Sequence, residues 1–262
     1  MSISIRSHAS AVAPSGGHSS QAVTISGVQT GDTLVALIYG GGRDVQSVSD
    51  NQNNIWTQVP NAKIAFTCDI WMVTSANPGS TTVTVTLTGS TVNLGIALYD
   101  LSATEQSAIA ATAASSSTPT SFNGPALSIG TPGVYLALLV PPTVSGENSA
   151  NVGSPWSLDE SMANPGGFGT NIAVSLQGHS GSQQPIFGNL TATANAINST
   201  GIALSDIVST AGGGTPPDVF DPAHVNTPPQ INYPQKAMLQ PRRVTPQPSP
   251  LKPWYAGRPG GR

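Results

Sequence analysis

The chain has 262 residues, only 8% of which are Asp, Glu, Lys or Arg, and its formal net charge is −3 at pH 7. An average soluble domain contains about 25% charged residues, so this composition argues against a metabolic enzyme and favours an extracellular or virion surface. The single cysteine, Cys68, excludes an internal disulfide framework and a multi-cysteine metal site.

The first ten residues, MSISIRSHAS, lack the apolar stretch of a secretory signal. The longest apolar run in the body, VYLALLV, is far too short to span a membrane. We therefore expect synthesis in a host cytoplasm and, if the protein works outside the cell, transport as part of an assembly.

Alternation of apolar and polar residues with a period of two dominates the body of the chain and predicts antiparallel β-strands. In TTVTVTLT, Val83, Val85 and Leu87 form an apolar face opposite a row of threonines. KIAFTCDIWMV alternates in the same way, with one face formed by Ile64, Phe66, Cys68, Ile70 and Met72. Further predicted strands are SISIRS, AVTI, TLVALIY, VQSVS, NLGIALYDL, PALSI, GVYLALLV, NIAVSLQ, NLTATANA and GIALSDIV. Only ATEQSAIAATAA would fit a helix, and it fits a strand and loop equally well.

Similar segments recur about a hundred residues apart. TISGVQTGDTLVALIY resembles SIGTPGVYLALLV, IWTQV resembles PWSLD, and LGIALYDLS resembles TGIALSDIV. The matched positions are 104, 100 and 106 residues apart, namely Ile25 and Ile129, Trp56 and Trp156, and Ile96 and Ile202. Either two similar sandwiches or one sandwich of two related halves would explain the repeat. We favour one sandwich over residues 1–209, with halves at about 20–110 and 120–209, because no Pro/Gly linker separates them.

The succession GDTLVALIYGGG, SVSDNQNNIWTQV, DIWMVTSANPGSTTVTVTLTG and LGIALYDLS resembles a jelly-roll-like β-sandwich module of phage virion proteins and bacterial surface proteins. The resemblance covers residues 20–208 and consists of turn and strand signals. The chain departs from the module at Asn53-Asn54, where Gly-Asn is common, and at Tyr99-Asp100-Leu101, where Glu-Tyr-Ser is common. The resemblance implies an all-β, antiparallel jelly-roll-like sandwich and a structural role in a virion.

Residues 210–262 have a different composition and predict an extended arm. They contain twelve of the 23 prolines, which stop helix and sheet from propagating, and too few apolar residues to fold alone. Six basic and two acidic residues give the arm a charge of +4, whereas residues 1–209, with three basic and ten acidic residues, carry −7. A basic arm favours an acidic protein surface as partner. The residues expected to contact that partner are Phe220, Tyr233, Arg242, Arg243, Lys252, Trp254, Tyr255 and Arg258.

The candidate chemical sites in the body are weak. The adjacent Asp159 and Glu160 should face opposite sides of a strand and so cannot form an acid/base pair. Asp50 opens SDNQNN, which lacks the glycine and terminal glutamate of a calcium loop and favours a tight turn. Cys68 shares the predicted apolar face of its strand, which favours a buried structural thiol. No cofactor, catalytic residue or metal ligand is predicted, and neither nucleic acid nor membrane is an expected partner.

The sequence therefore predicts a non-enzymatic structural protein of a bacteriophage virion, a capsid decoration or minor capsid protein that its arm anchors to neighbouring subunits. The expected partners are major capsid or tail subunits and further copies of the chain in the assembly. Three alternatives stay open: a minor tail protein, a carbohydrate-binding or adhesion module that contacts host-surface glycans, and a hydrolase that acts on polysaccharide. The side chain expected to stack on a glycan is Trp71.

Overall fold

The computed structural model describes residues 3–91, 93–102, 106–115, 120–141, 150–163, 170–190 and 197–206. Its contacts divide the chain into two units, Met1–Ser209 and Thr210–Arg262, and the arm lies outside the described residues. Every regular element among the described residues is a β-strand, and all strand pairs are antiparallel. The predicted all-β, antiparallel fold class is therefore confirmed. None of the described residues belongs to a helix that could span a membrane.

The first half of the body forms two sheets. Its strands are β1 (Ile5–Val12), β2 (His18–Val28), β3 (Thr33–Tyr39), β4 (Val45–Asp50), β5 (Thr57–Gln58), β6 (Cys68–Val73), β7 (Gly79–Thr91) and β8 (Gly95–Leu101). The first large sheet has the order β1-β8-β3-β6-β5, and the first small sheet has the order β2-β7-β4.

The second half repeats this arrangement strand for strand. Its strands are β9 (Gln106–Ser115), β10 (Phe122–Asn123), β11 (Leu127–Val140), β12 (Asn151–Val152), β13 (Ser157–Ala163), β14 (Thr170–Gln183), β15 (Ile186–Gly188) and β16 (Ile197–Asp206). The second large sheet has the order β9-β16-β11-β14-β13, and the second small sheet has the order β10-β15-β12. Pairing the first strand with the eighth and the second with the seventh is the topology of a jelly roll. The predicted jelly-roll-like sandwich of two related halves is confirmed.

Three hydrophobic cores hold the four sheets together. The first core lies between the two sheets of the first half and includes Leu34 and Val85. The second core is its counterpart in the second half, with Tyr135 and Phe187. The inner core combines residues of both large sheets, with Leu37, Tyr99, Leu136 and Leu204 among its members. Each half is thus a sandwich, and the two large sheets form a third sandwich between the halves. Each half therefore has a core of its own, as in the alternative of two similar sandwiches, and the two large sheets also pack against each other.

The alternation of β7 matches its sequence pattern: Val83, Val85 and Leu87 are buried, whereas the intervening threonines are half-exposed. The pattern of KIAFTCDIWMV holds only from Cys68 onward. Ile64 and Cys68 exchange backbone hydrogen bonds that close a turn, and Phe66 within that turn has a φ of 60° and is 59% exposed. The prediction that Phe66 shares the buried face was therefore wrong, because a turn interrupts the alternation.

The internal repeat also differs from its sequence signal at one point. Ile96 faces the first core, whereas Ile202, its match in the sequence, faces the inner core. When two strands are aligned with an error of one residue, each side chain is matched with one that points to the opposite face. The similarity of LGIALYDLS and TGIALSDIV therefore reflects a shared composition rather than structurally equivalent positions.

Candidate functional site

The predicted partner-binding residues lie outside the described residues. These are Phe220, Tyr233, Arg242, Arg243, Lys252, Trp254, Tyr255 and Arg258. Their role stays a prediction. The described residues of the body nevertheless contain three polar clusters, around Asp50, around Asp159 and Glu160, and around Asp32 and Asp100, and these show what the body can do chemically.

Trp71, the candidate glycan-binding residue, lies on β6 and is partly exposed. Its side chain packs against the first core, and its indole nitrogen is buried. Trp56 and Trp156 are only 8% and 7% exposed and belong to the first and second cores. Both serve as core residues, while glycan stacking at Trp71 stays a prediction.

The SDNQNN segment forms the tight turn that its composition favours. One carboxylate oxygen of Asp50 accepts hydrogen bonds from the backbone N–H groups of Gln52 and Asn54, at 2.9 and 3.1 Å. The other oxygen accepts from the Asn54 amide at 2.9 Å and from the Trp56 indole at 2.7 Å. Four donors on one carboxylate occupy the lone pairs that a calcium ion would need. The Asp50 side chain therefore fixes the turn and the ring of Trp56.

A β-bulge on β13 brings two carboxylates to the junction between the halves. Leu158 pairs with Val174 and Glu160 with Ala173, so Asp159 is an additional residue in the strand. The expectation that Asp159 and Glu160 face opposite sides was wrong, because the bulge breaks the alternation of the strand.

Both carboxylates contact strands of the first half. Glu160 has one oxygen 2.7 Å from Nδ1 of His8, and its other oxygen accepts a hydrogen bond of 2.6 Å from the Ser10 hydroxyl. The hydroxyl of Tyr99 donates to Asp159 at 3.0 Å. The cluster therefore joins β1 and β8 to β13.

Burial is the largest influence on the pKa values of Asp159 and Tyr99. Desolvation raises the pKa of Asp159, although hydrogen bonds from Ser175 and Tyr99 act in the opposite direction. Desolvation, followed by the charge of Asp159, raises the pKa of the Tyr99 hydroxyl well above its usual value. Because three of the four carboxylate oxygens already contact side chains of the first half, the arrangement is suited to joining the halves rather than to transferring protons to a substrate.

A second acidic pair lies at the end of the first large sheet. Asp32 and Asp100 are 3% and 1% exposed. Asp32 pairs with Nε of Arg6 at 3.1 Å and accepts a hydrogen bond of 2.8 Å from the backbone of Gln29. Burial, followed by the proximity of Asp32, raises the pKa of Asp100 to about 7. Two buried carboxyl groups thus face one guanidinium, and Asp100 keeps its proton in mildly acidic solution.

Cys68 is 3% exposed in the inner core, and burial raises the pKa of its thiol to about 12. Such a thiol forms little thiolate at neutral pH and is a poor nucleophile. Among the described residues, no group of three or more His, Cys, Asp or Glu side chains is placed to hold a metal ion.

From the sequence, Asp159 and Glu160 were considered only as an acid/base pair, and Asp32 and Asp100 were not brought together. A signal for the second pair exists, since Asp100 interrupts the apolar strand GIALYDL and Asp32 directly precedes the fully buried TLVALIY. Nothing in the sequence indicates the bulge at Asp159, because it depends on pairing with β14.

Comparisons with models of known protein families, with curated proteins and with solved structures found no match to this chain.

Proposed function

We propose that the protein is a non-enzymatic structural component of a bacteriophage particle, a capsid decoration or minor capsid protein that residues 210–262 anchor to neighbouring subunits. The observation that supports this most is the abrupt change at residue 210. There a weakly acidic body of alternating β-segments gives way to a basic, proline-rich arm.

The described part of the body supports a separation of roles between a folded body and an anchoring arm. Its three cores are formed by residues between Ile3 and Leu204, all of which lie before the arm. These cores support the proposal of a self-sufficient body that is followed by an arm for a partner. The body has few charged groups, which suits an outward-facing virion surface that depends on Ser, Thr and Asn for its solubility.

The arm can anchor the body without a large globular interface. Ordering a residue costs about 1–2 kcal/mol of backbone entropy, and proline lowers this cost because the free chain is already restricted. Trp254 and Tyr255 can bury apolar area in pockets of the shell. Arg242 and Arg243 can form paired hydrogen bonds with carboxylates.

The proposal is tested by assembling particles in cells that produce either the full chain or a chain that ends at Ser209. Quantitative mass spectrometry of purified particles should show the full chain at its normal copy number and a loss of at least about tenfold for the truncated chain. The thermal unfolding midpoint of the truncated chain is the control for folding. Normal incorporation of a folded, truncated chain would refute anchoring by the arm.

Charge is tested separately with Arg242→Ala/Arg243→Ala, which should lower the copy number. The matched control is Arg43→Ala/Lys63→Ala, which removes the same charge from the body and should leave incorporation unchanged. Equal losses in the two variants would show that net charge, not the arm, controls assembly.

A minor tail protein is the closest alternative within this proposal. We favour the head because a broad acidic shell offers more surface to a long basic arm. Immunogold labelling of intact particles should place the protein on the head, and labels confined to the tail would support the alternative.

A further inference from the structure

Edge strands expose unpaired backbone N–H and C=O groups, and stable proteins protect them with bulges, charges, proline or short length. Most edges of the described sheets have such protection. β5, β10 and β12 have two residues each. β1, β2, β4 and β13 contain irregularities in their pairing. β1 also contains Arg6 and His8, and β13 contains Asp159 and Glu160.

β9 differs from all of these edges. It pairs with β16 over ten consecutive positions without a bulge, and it has no other partner strand among the described residues. Its sequence, QSAIAATAAS, contains no charged residue and no proline. Ile109 is 44% exposed on this strand. β9 is thus the one long edge among the described strands that is regular, neutral and unprotected.

Space for an incoming strand lies beside β9. A groove of about 330 Å³ separates it from the β5 edge of the first large sheet. Its lining includes Val59, Pro60 and Met72 on one side and Ala108 and Ile109 on the other. Side chains of an added strand can occupy this groove while its backbone pairs with β9.

We propose that two copies of the chain pair through β9, antiparallel, so that their large sheets join into one continuous sheet of ten strands. Pairing of β9 with a second copy of itself is favourable because the strand has no charged residues. No like charges therefore face each other across the two-fold axis. The small side chains of Ala108, Ala110 and Ala114 also allow close approach. An antiparallel pair of identical strands is closed, so association ends at the dimer. This contact involves the body and does not depend on the virion assignment or on the arm.

The test is analytical ultracentrifugation of the full chain over a concentration series. The wild type should form dimers, whereas Ala108→Lys/Thr112→Lys, which places lysines at two exposed positions of β9, should raise the dimer dissociation constant at least about tenfold. The matched control is Ser157→Lys/Ser161→Lys, with the same spacing on the protected edge β13, and it should dimerise like the wild type. Circular dichroism and the unfolding midpoint establish that both variants fold.

Three results would overturn the proposal. One is a wild-type chain that stays monomeric over the whole series, and another is a β9 variant that still dimerises normally. The third is a monomeric chain whose β9 amides become protected from hydrogen exchange only within a particle, since this would identify a foreign strand as the occupant.

Discussion

Asp32 and Asp100 are two buried carboxyl groups that lie close to each other. A buried carboxyl group with a raised pKa binds its proton more tightly in the folded state than in the unfolded chain. Folding is therefore favoured at low pH, and this contribution declines as the pH rises from the ordinary aspartate pKa of 3.8 to about 7. Above that range it stays constant at its lowest value.

Asp100→Asn removes this titration while keeping the shape of the side chain. Between pH 4 and 7 the wild type should lose about 3 kcal/mol of unfolding free energy relative to the variant. Urea unfolding at a series of pH values measures the difference. Parallel curves for the two proteins would contradict the assigned pKa.

Asp44→Asn is the control, because folding lowers the pKa of Asp44, whereas it raises the pKa of Asp100. The Phe66 backbone N–H, followed by Lys63, lowers the pKa of Asp44. The contribution of this carboxylate is therefore present above the ordinary pKa and is lost as the pH falls through the lowered value. Asp44→Asn should leave the slope between pH 5 and 7 unchanged.

The sequence predicts the burial of single residues well where alternation is regular. Val83, Val85 and Leu87 follow their pattern because each step along β7 turns the side chain to the other face. Phe66 does not, since its backbone N–H bonds to Asp44 of a distant segment at 3.1 Å and holds a turn in place. Such a contact has no local signature.

β11 shows how one strand can depend on a single glycine. The sequence predicted two strands, PALSI and GVYLALLV, and the structure joins them into the irregular strand Leu127–Val140. Gly133 lies at the irregularity, where a Cβ atom would collide with the carbonyl oxygen of Leu204 and the side chain of Ile129. Glycine is required here for close packing of β11 against β16.

Gly133→Ala should therefore lower the free energy of unfolding by more than about 2 kcal/mol, since the backbone of β16 must move to accommodate the methyl group. The matched control is Gly130→Ala on the same strand, where no atom lies within 4 Å of the added Cβ. That variant should change stability by less than about 0.5 kcal/mol. Urea unfolding measures both, and equal effects would contradict the packing described for β11.

Pairing between strands also explains what the sequence could not predict about β13. Residues 157–163 contain both Asp159 and Glu160, and simple alternation separates their side chains. The bulge arises only when β13 pairs with β14, and it then turns both carboxylates toward the first half. Sequence periodicity therefore predicts which face of a strand each side chain occupies. It does not predict where pairing with a neighbouring strand introduces a bulge.

The inner core makes the two halves interdependent. It contains Leu37 and Tyr99 from the first half and Leu136 and Leu204 from the second half. A separated half would expose its large sheet to water at about 25 cal/mol per Å² of apolar surface. We therefore expect residues 3–206 to unfold as one cooperative unit despite the internal repeat.

Leu136→Ala tests this expectation. The side chain is fully buried in the inner core, and its truncation should cost about 2–5 kcal/mol. With fluorinated tryptophan, the ¹⁹F NMR signals of Trp56 and Trp156 should both disappear at the same, lowered urea concentration. Loss of the Trp156 signal while that of Trp56 is unchanged would show that the halves fold independently.

The repeat in the sequence predicted the relation between the halves, but it did not predict how they pack. The alternating strands account for two apolar faces on each large sheet, as TLVALIY is buried on both sides. Which of these faces meets the other half depends on register, and Ile96 and Ile202 show that sequence similarity alone gives the wrong register.

Hydrogen–deuterium exchange of the full chain, free and within an assembled particle, tests most directly the claim that a self-sufficient body is anchored by a separate arm. We predict that the central strands β3, β8, β11 and β16 are protected in both states. Amides of residues 210–262 should exchange at the rate of an unstructured peptide in the free chain and become protected in the particle. Strong protection of residues 210–262 in the free chain, or none in the particle, would contradict this account.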